Sequence, residues 1–133
     1  MKGRGVRVGL LSSEAIRPAM GGIGVRYLEL ARRLPALGFD VVLASPGSRD
    51  QAAECGLDPR GVRPIERARV AELLADRQVV VAQGQLANDV VLGLPSTPVV
   101  IDLYDPWLVE NLHYAETLGL DPWRNDHATW VLQ

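Results

Sequence analysis

The sequence contains very few of the residues on which several protein classes depend. Its 133 residues include one cysteine, Cys55, which excludes a disulfide framework and a cysteine zinc site. The two histidines, His113 and His127, both come late in the chain, and no Ser/His/Asp triad can be assembled around them. No apolar run reaches the roughly 18 residues that a membrane span needs, and the amino terminus lacks the apolar run of a signal peptide. These absences predict a protein of a reducing compartment, the cytoplasm.

Neither positive nor negative charge is in large excess. The net charge is −2, and 23% of the residues are charged against 47% that are hydrophobic, which is ordinary for a globular domain. This balance gives no sign of a nucleic-acid partner. The length predicts one domain, residues 1–133, that buries about two thirds of its unfolded surface.

Short apolar runs alternate with helical patterns along the chain. Strands are predicted over residues 6–11, 41–44, 62–65, 79–82 and 99–103. Helices are predicted over residues 23–37, 51–55, 68–75 and 87–92. The strand patterns over 79–82 and 99–103 do not alternate, so both are expected to be buried. Together these patterns predict a Rossmann-like parallel sheet with helices on both faces.

The first helix has a clear apolar face and a clear end. At 100° per residue, the side chains predicted to share the inward face are Ile23, Tyr27, Leu30, Ala31, Leu34 and Leu37. Pro35 predicts a kink or an early end, and Gly38 fits the left-handed cap. Two later helices are predicted from Asp-Pro caps, the first ending at Gly119 and the second running to residue 133. A chain that ends inside a helix suggests a fragment of something longer.

The most informative segment follows the first predicted strand. A long loop, residues 12–24, ends in a glycine-rich turn where the first helix begins. Backbone N–H groups there would point outward beside the positive end of the helix dipole. The sequence therefore predicts that the N–H groups of residues 21–24 are open to a phosphate, a carboxylate or a sugar hydroxyl. The alternative is a flexible turn, although such connections are usually about 2–6 residues long.

The known phosphate-binding motifs are not matched. The pattern is Gly-Gly-x-Gly with no Gly-Lys-Ser/Thr after it, so a Walker-type site is unsupported. The second strand ends in Ala44-Ser45-Pro46, without the acidic residue that would hold a ribose. This argues against NAD and against a short-chain dehydrogenase.

Three segments are expected to meet at the carboxyl edge of the sheet, where such folds bind ligands. They are the loop 12–24, residues 83–85 and residues 102–105. Asp102 and Asp105 could hold sugar hydroxyls or act as a base. Each also has a structural explanation, because Asp105 precedes Pro106 as a helix cap and a strand-end aspartate often bonds a neighbouring loop. Glu110 and His113 share a helix face, but nothing else supports a metal site, and none is predicted.

These residues lead to a family resemblance. Residues 6–11, then the glycine turn with residues 20–31, then residues 38–44 resemble the start of a group 1 (family 4) glycosyltransferase. Residues 99–105, with Asp-Leu-Tyr-Asp-Pro, resemble the end of the acceptor-side strand in some bacterial members. The resemblance covers nearly the whole chain. It implies a GT-B enzyme with two Rossmann-like domains facing a cleft, of which this chain would be the amino-terminal, acceptor-side one.

The resemblance also implies roles for individual residues. The glycines would approach the phosphates of the donor, and Asp102 and Asp105 are the predicted catalytic residues. Many members have a His-Asp pair where this chain has Tyr104-Asp105. The residues predicted to bind substrate are Gly21, Gly22, Ile23, Gly24, Gln83, Gly84 and Tyr104. The carboxyl-terminal domain, which binds most of the nucleotide-sugar in this family, lies outside these 133 residues, so we expect the isolated chain to be inactive.

The expected partners follow from the same resemblance. They are a nucleotide-sugar donor, a sugar or lipid-linked acceptor, and the chain's own carboxyl-terminal domain; a lipid-linked acceptor would bring peripheral contact with a membrane. No cofactor is expected, because the nucleotide-sugar is a substrate and this fold generally needs no divalent metal. An alternative from another class is a non-catalytic Rossmann-like module that binds a nucleotide or a small anion. A second α/β domain encoded after residue 133 would favour the transferase.

Overall fold

The computed structural model describes residues 5–65, 70–83 and 85–102, together with Thr117 and Gly119. The backbone divides into two compact units, Met1–Asp102 and Leu103–Gln133. The sheet, its helices and the candidate site all belong to the first unit, and the one-domain assignment of residues 1–133 stays a prediction. In the second unit, Thr117 is helical and Gly119 has φ +67°, which agrees with the predicted helix end.

The first unit is built on a five-stranded sheet in which every pair of neighbours is parallel. The strands are β1 Arg7–Leu11, β2 Asp40–Ser45, β3 Val62–Pro64, β4 Val79–Gln83 and β5 Val99–Asp102. Their order is β3-β2-β1-β4-β5. The predicted Rossmann-like α/β fold is therefore confirmed. The chain builds outward from β1 to β3 and then crosses to β4, so the strand order reverses between β1 and β4, where open α/β sheets form their ligand crevice.

Within the described residues, four α-helices lie between these strands, close to the predicted positions. They are α1 Gly22–Arg33, α2 Arg49–Glu54, α3 Val70–Leu74 and α4 Gln85–Gly93. The Pro35 prediction is confirmed, because α1 gives way to a 3₁₀ turn over Leu34–Leu37. Gly38 then has φ +92°, the left-handed conformation expected at a helix end.

Helices cover both faces of the sheet. On one face, which we call the α1 face, Val8, Leu10 and Leu43 pack with Tyr27 and Leu28 of α1 and with Ala52 of α2. On the other face, Leu11, Val80 and Ala82 pack with Val70 and Leu74 of α3 and with Val90 of α4. Side chains alternate between the two faces along each strand, which fixes where every strand-end residue points.

Two burial predictions are wrong. Leu37 is 73% exposed, because the tighter 3₁₀ turn after Pro35 moves it off the apolar stripe of α1. The strand over 99–102 is not buried, since Val100 and Ile101 are 53% and 52% exposed. Within the described residues β5 ends the sheet and has only β4 beside it, which leaves these side chains uncovered.

An ion-pair network joins the connection between α3 and β4 to β2 and β3. Arg77, whose side chain is 6% exposed, pairs with Asp76 at 2.5 Å and with Asp40 at 3.3 Å. Arg63 pairs with Asp76 at 2.8 Å. The network lies at the opposite edge of the sheet from the predicted site, so its role is to stabilise the fold.

Candidate functional site

The glycine turn that opens α1 lies after β1 at the carboxyl edge of the sheet, but it is not open in the way the sequence predicted. The Glu14 carboxylate accepts hydrogen bonds from the N–H groups of Gly21 and Gly24, the second at 2.7 Å. A negative charge at the positive end of a helix is a favourable arrangement. The prediction of open N–H groups is therefore wrong for Gly21 and Gly24, because both N–H groups already donate to a side chain of the protein.

The backbone of Glu14 is held by the residue that follows β1. The Ser12 hydroxyl donates to the Glu14 carbonyl oxygen at 2.7 Å and accepts from the Glu14 N–H at 3.1 Å. Ser12 itself is fully buried and extends the pairing of β1 by donating its N–H to Ala44. Farther along the loop, Ile16 is 1% exposed and packs in the core of the α1 face. The loop is thus anchored at two points, which speaks against the alternative of a merely flexible turn.

Two of the glycines lie against flexible side chains that an added Cβ atom would displace. A Cβ atom on Gly21 would lie 2.9 Å from Glu14 Oε1, and a Cβ atom on Gly24 would lie 2.9 Å from the Met20 sulfur. Neither glycine has a positive φ, so conformational freedom does not explain them. Within the described part of the chain, the N–H groups of Gly22 and Ile23 have no protein acceptor. These two groups are what remains of the predicted anion site.

A bidentate ion pair joins α1 to the end of β5. Arg26 Nε lies 2.7 Å from Asp102 Oδ2, and Arg26 Nη2 lies 3.1 Å from Asp102 Oδ1. The Asp102 side chain is 8% exposed and the Arg26 side chain 44%. Arg26 was not among the residues predicted for the site, and the sequence did not reveal this contact. No local signal could have found it, because the two residues are 76 positions apart.

Gln83 and Asp102 come together as predicted at the carboxyl edge. Gln83 is the last residue of β4 and lies opposite Asp102, the last residue of β5. Alternation along β4 places Gln83 on the α1 face, with Val79 and Val81. Gln83 is 7% exposed, and within the described residues its Oε1 atom has no hydrogen-bond partner. Buried polar atoms of this kind are rare in folded proteins and call for an explanation.

A second unpartnered polar atom lies on the same face. Tyr27, in the second turn of α1, is fully buried, and its hydroxyl has no hydrogen-bond partner among the described residues. Burial, and then the negative charge of Asp102, raise the pKa of Tyr27 above its usual value. The phenol therefore keeps its proton and is available as a hydrogen-bond donor.

Several predicted residues lie outside the described part of the chain. These are Gly84, Tyr104, Asp105, Glu110 and His113, and their assignments stay predictions. Among the described residues, no group of His, Cys, Asp and Glu is arranged to hold a metal ion. No helix of that same part is both long and apolar enough to cross a bilayer.

The chain matches no protein-family model, and it matches neither a curated protein nor a solved structure. Any proposal for its function therefore rests on the geometry of this edge and on the motif resemblance described above.

Proposed function

We propose that this chain is the acceptor-side domain of a nucleotide-sugar-dependent glycosyltransferase. The observation that carries the proposal is the position of the glycine turn. It opens α1, the helix that follows β1, beside the reversal of strand order, with Gln83 and Asp102 ending β4 and β5 at the same edge. A sheet with this order binds ligands at that edge. The resemblance of the glycine turn and of residues 99–105 to group 1 transferases is the reason for proposing glycosyl transfer as the reaction.

The chemistry of transfer makes specific demands on this edge. Glycosyl transfer builds positive charge on the donor ring and negative charge on the leaving phosphate, which fixed N–H groups can stabilise. Here Gly22 and Ile23 supply such groups, while the Glu14 carboxylate would repel a phosphate from the neighbouring pair. We therefore propose that the Glu14 side chain rotates away when a donor phosphate arrives. Its backbone would stay in place, because Ser12 holds only the main chain of Glu14.

Asp102 is better suited to binding than to proton abstraction. Both of its oxygens accept hydrogen bonds from Arg26, which holds the carboxylate in one orientation. A carboxylate has about four lone-pair positions, so two remain for ligand hydroxyl groups. In this proposal Asp102 positions the acceptor. The predicted general base is then Asp105, which lies outside the described residues.

The test uses the natural polypeptide that contains residues 1–133. It is incubated with a panel of nucleotide-sugars and monosaccharide or lipid-linked acceptors, and products are detected by mass spectrometry. We expect Gly22→Ala to lower kcat/KM by roughly ten- to hundredfold, because an added methyl group displaces the phosphate from the helix end. The unfolding midpoint should change little.

The matched control is Gly61→Ala. Gly61 lies at the amino end of β3, has no positive φ, and an added Cβ would meet nothing closer than 3.7 Å. Its transfer rate should equal that of the unmodified protein. Normal folding with an unchanged rate in Gly22→Ala would remove the phosphate role from the glycine turn. Transfer by the isolated 133 residues would refute the need for a second domain.

One observation favours a second candidate function, a non-catalytic module that binds a small anion. The α1 turn already binds a carboxylate, that of Glu14, through two N–H groups. A free carboxylate or phosphate could occupy the same place without any transfer. Binding of nucleotides or carboxylates with no glycosyl product in the assay above would support this function over the transferase.

A further inference from the structure

We propose that Gln83 and Tyr27 form a buried subsite that binds a hydroxyl group of an uncharged, sugar-like ligand. The inference rests on the proposed function, and it identifies the ligand chemistry on the acceptor side. It starts from the two polar atoms without a partner in the described chain, Gln83 Oε1 and the Tyr27 hydroxyl.

The two residues share one face of the sheet, the α1 face, and both are related to Asp102. Gln83 is the register neighbour of Asp102, and Tyr27 is near enough for the charge of Asp102 to raise its pKa. Arg26, adjacent to Tyr27 in α1, donates two hydrogen bonds to the Asp102 carboxylate. The subsite therefore has the ends of β4 and β5 on one side and α1 on the other.

The chemistry of the two atoms selects the ligand group. An amide oxygen only accepts a hydrogen bond, so Gln83 needs a donor. The protonated phenol of Tyr27 can donate, so it is best matched by an acceptor. An ionised carboxylate or a fully ionised phosphate has no proton to donate to Gln83, and an ammonium cannot accept from Tyr27. A hydroxyl group does both, and the Arg26–Asp102 pair beside it adds no net charge that would favour an ion.

The inference makes a stability prediction that needs no ligand. Leaving a buried polar atom unpaired destabilises a protein, so replacing it with an apolar group of similar shape should stabilise it. We expect Gln83→Met and Tyr27→Phe each to raise the thermal midpoint of the 133-residue chain by roughly 2–5 °C. The contrasting variant is Ser12→Ala, which removes a buried hydroxyl that has two hydrogen bonds and should lower the midpoint. A lower midpoint in Gln83→Met would show that the oxygen is already satisfied in the free protein, by a buried water, and would overturn the subsite.

Binding is then measured with named probes. D-glucose, D-mannose and myo-inositol are titrated into the chain and followed by ligand-observed NMR, with inorganic pyrophosphate as a charged comparison. Loss of one hydrogen bond to a buried amide should weaken binding of the preferred polyol roughly tenfold in Gln83→Met. Pyrophosphate binding should not change. A deoxy analogue lacking the bonded hydroxyl should bind equally to both proteins.

The outcomes separate this inference from the proposed function. If no polyol binds, or if Gln83→Met binds polyols as well as the unmodified chain, the subsite is refuted even where transfer is observed. If polyol binding depends on Gln83 but no nucleotide-sugar is ever turned over, the subsite stands and the transferase proposal fails. Parallel weakening of pyrophosphate would assign the loss to a general distortion of the edge and would also refute the subsite.

Discussion

Removal of the Glu14 side chain separates its two effects, one on the fold and one on the anion site. In Glu14→Ala, the N–H groups of Gly21 and Gly24 lose a charged acceptor that no neighbouring side chain replaces. Losing a helix cap destabilises a protein by about 0.5–2 kcal/mol, and charge-assisted bonds lie toward the upper part of that range. Because the carboxylate is partly exposed and water can replace it, we expect a loss of about 1 kcal/mol in the free energy of unfolding.

The assay is urea unfolding of the 133-residue chain at neutral pH, followed by far-UV circular dichroism. Glu14→Gln, which keeps one acceptor oxygen but no charge, should lie between Glu14→Ala and the unmodified chain. The control is Glu54→Ala at the end of α2, an exposed glutamate for which the described chain offers no hydrogen-bond partner. That variant should stay within about 0.5 kcal/mol of the unmodified chain.

The same variant tests whether Glu14 competes with a ligand. If the carboxylate must leave before a phosphate binds, its removal opens four adjacent N–H groups and should tighten pyrophosphate binding roughly tenfold, which corresponds to about 1.4 kcal/mol. Isothermal titration at low ionic strength measures this. If Glu14→Ala is as stable as Glu54→Ala, the Glu14 carboxylate does not stabilise the start of α1. If its affinity for pyrophosphate is unchanged, Glu14 does not compete with a phosphate for these N–H groups.

Two further predictions concern the frame that holds the site. Gly38→Ala should lower the free energy of unfolding by about 1–2 kcal/mol, because φ is +92° there although the added Cβ would meet nothing within 4 Å; chemical denaturation checks this, and a neutral variant would contradict it. Hydrogen bonds from Arg63, and then from Arg77, lower the pKa of Asp76 below its unfolded value, so its contribution is present above the unfolded pKa and is lost as pH falls toward the folded one. The stability of Asp76→Asn should therefore fall less steeply than that of the unmodified chain below about pH 4, and parallel pH profiles would contradict this assignment.

The parts of the fold that were predicted correctly depend on local chemistry. Runs of Val and Ile are long enough to form a strand and too short to form a helix, so the strands were placed within a few residues. Pro35 and Gly38 act through their own backbone constraints, and the end of α1 followed from them. Burial in β5 was mispredicted for the opposite reason. The pattern of Val100 and Ile101 is that of a covered strand, whereas cover depends on what lies beside the strand, which the local sequence does not encode.

The candidate site likewise has features that the sequence predicts and contacts that it does not. The prediction that Gln83 and Asp102 lie together at the carboxyl edge is confirmed, because the parallel topology places the ends of neighbouring strands side by side. The two contacts that change the chemistry of the site were missed. Arg26 reaches Asp102 across 76 positions, and Glu14 reaches Gly24 from within an irregular loop. Neither contact follows from periodicity or from a motif, since both depend on the path of a side chain after the backbone is placed.

These missed contacts change which ligand the edge can accept first. Among the described residues of this edge, the Glu14 carboxylate accepts from the helix N–H groups and the Asp102 carboxylate accepts from Arg26. A phosphate would have to displace Glu14, whereas a neutral hydroxyl-bearing ligand displaces nothing and matches Gln83 and Tyr27 directly. Since displacement adds a free-energy cost that the neutral ligand avoids, we expect the edge in this state to favour an uncharged hydroxyl-bearing ligand over an anion. That preference is the one expected of an acceptor-side domain, in which the donor phosphate is held mainly by a second domain.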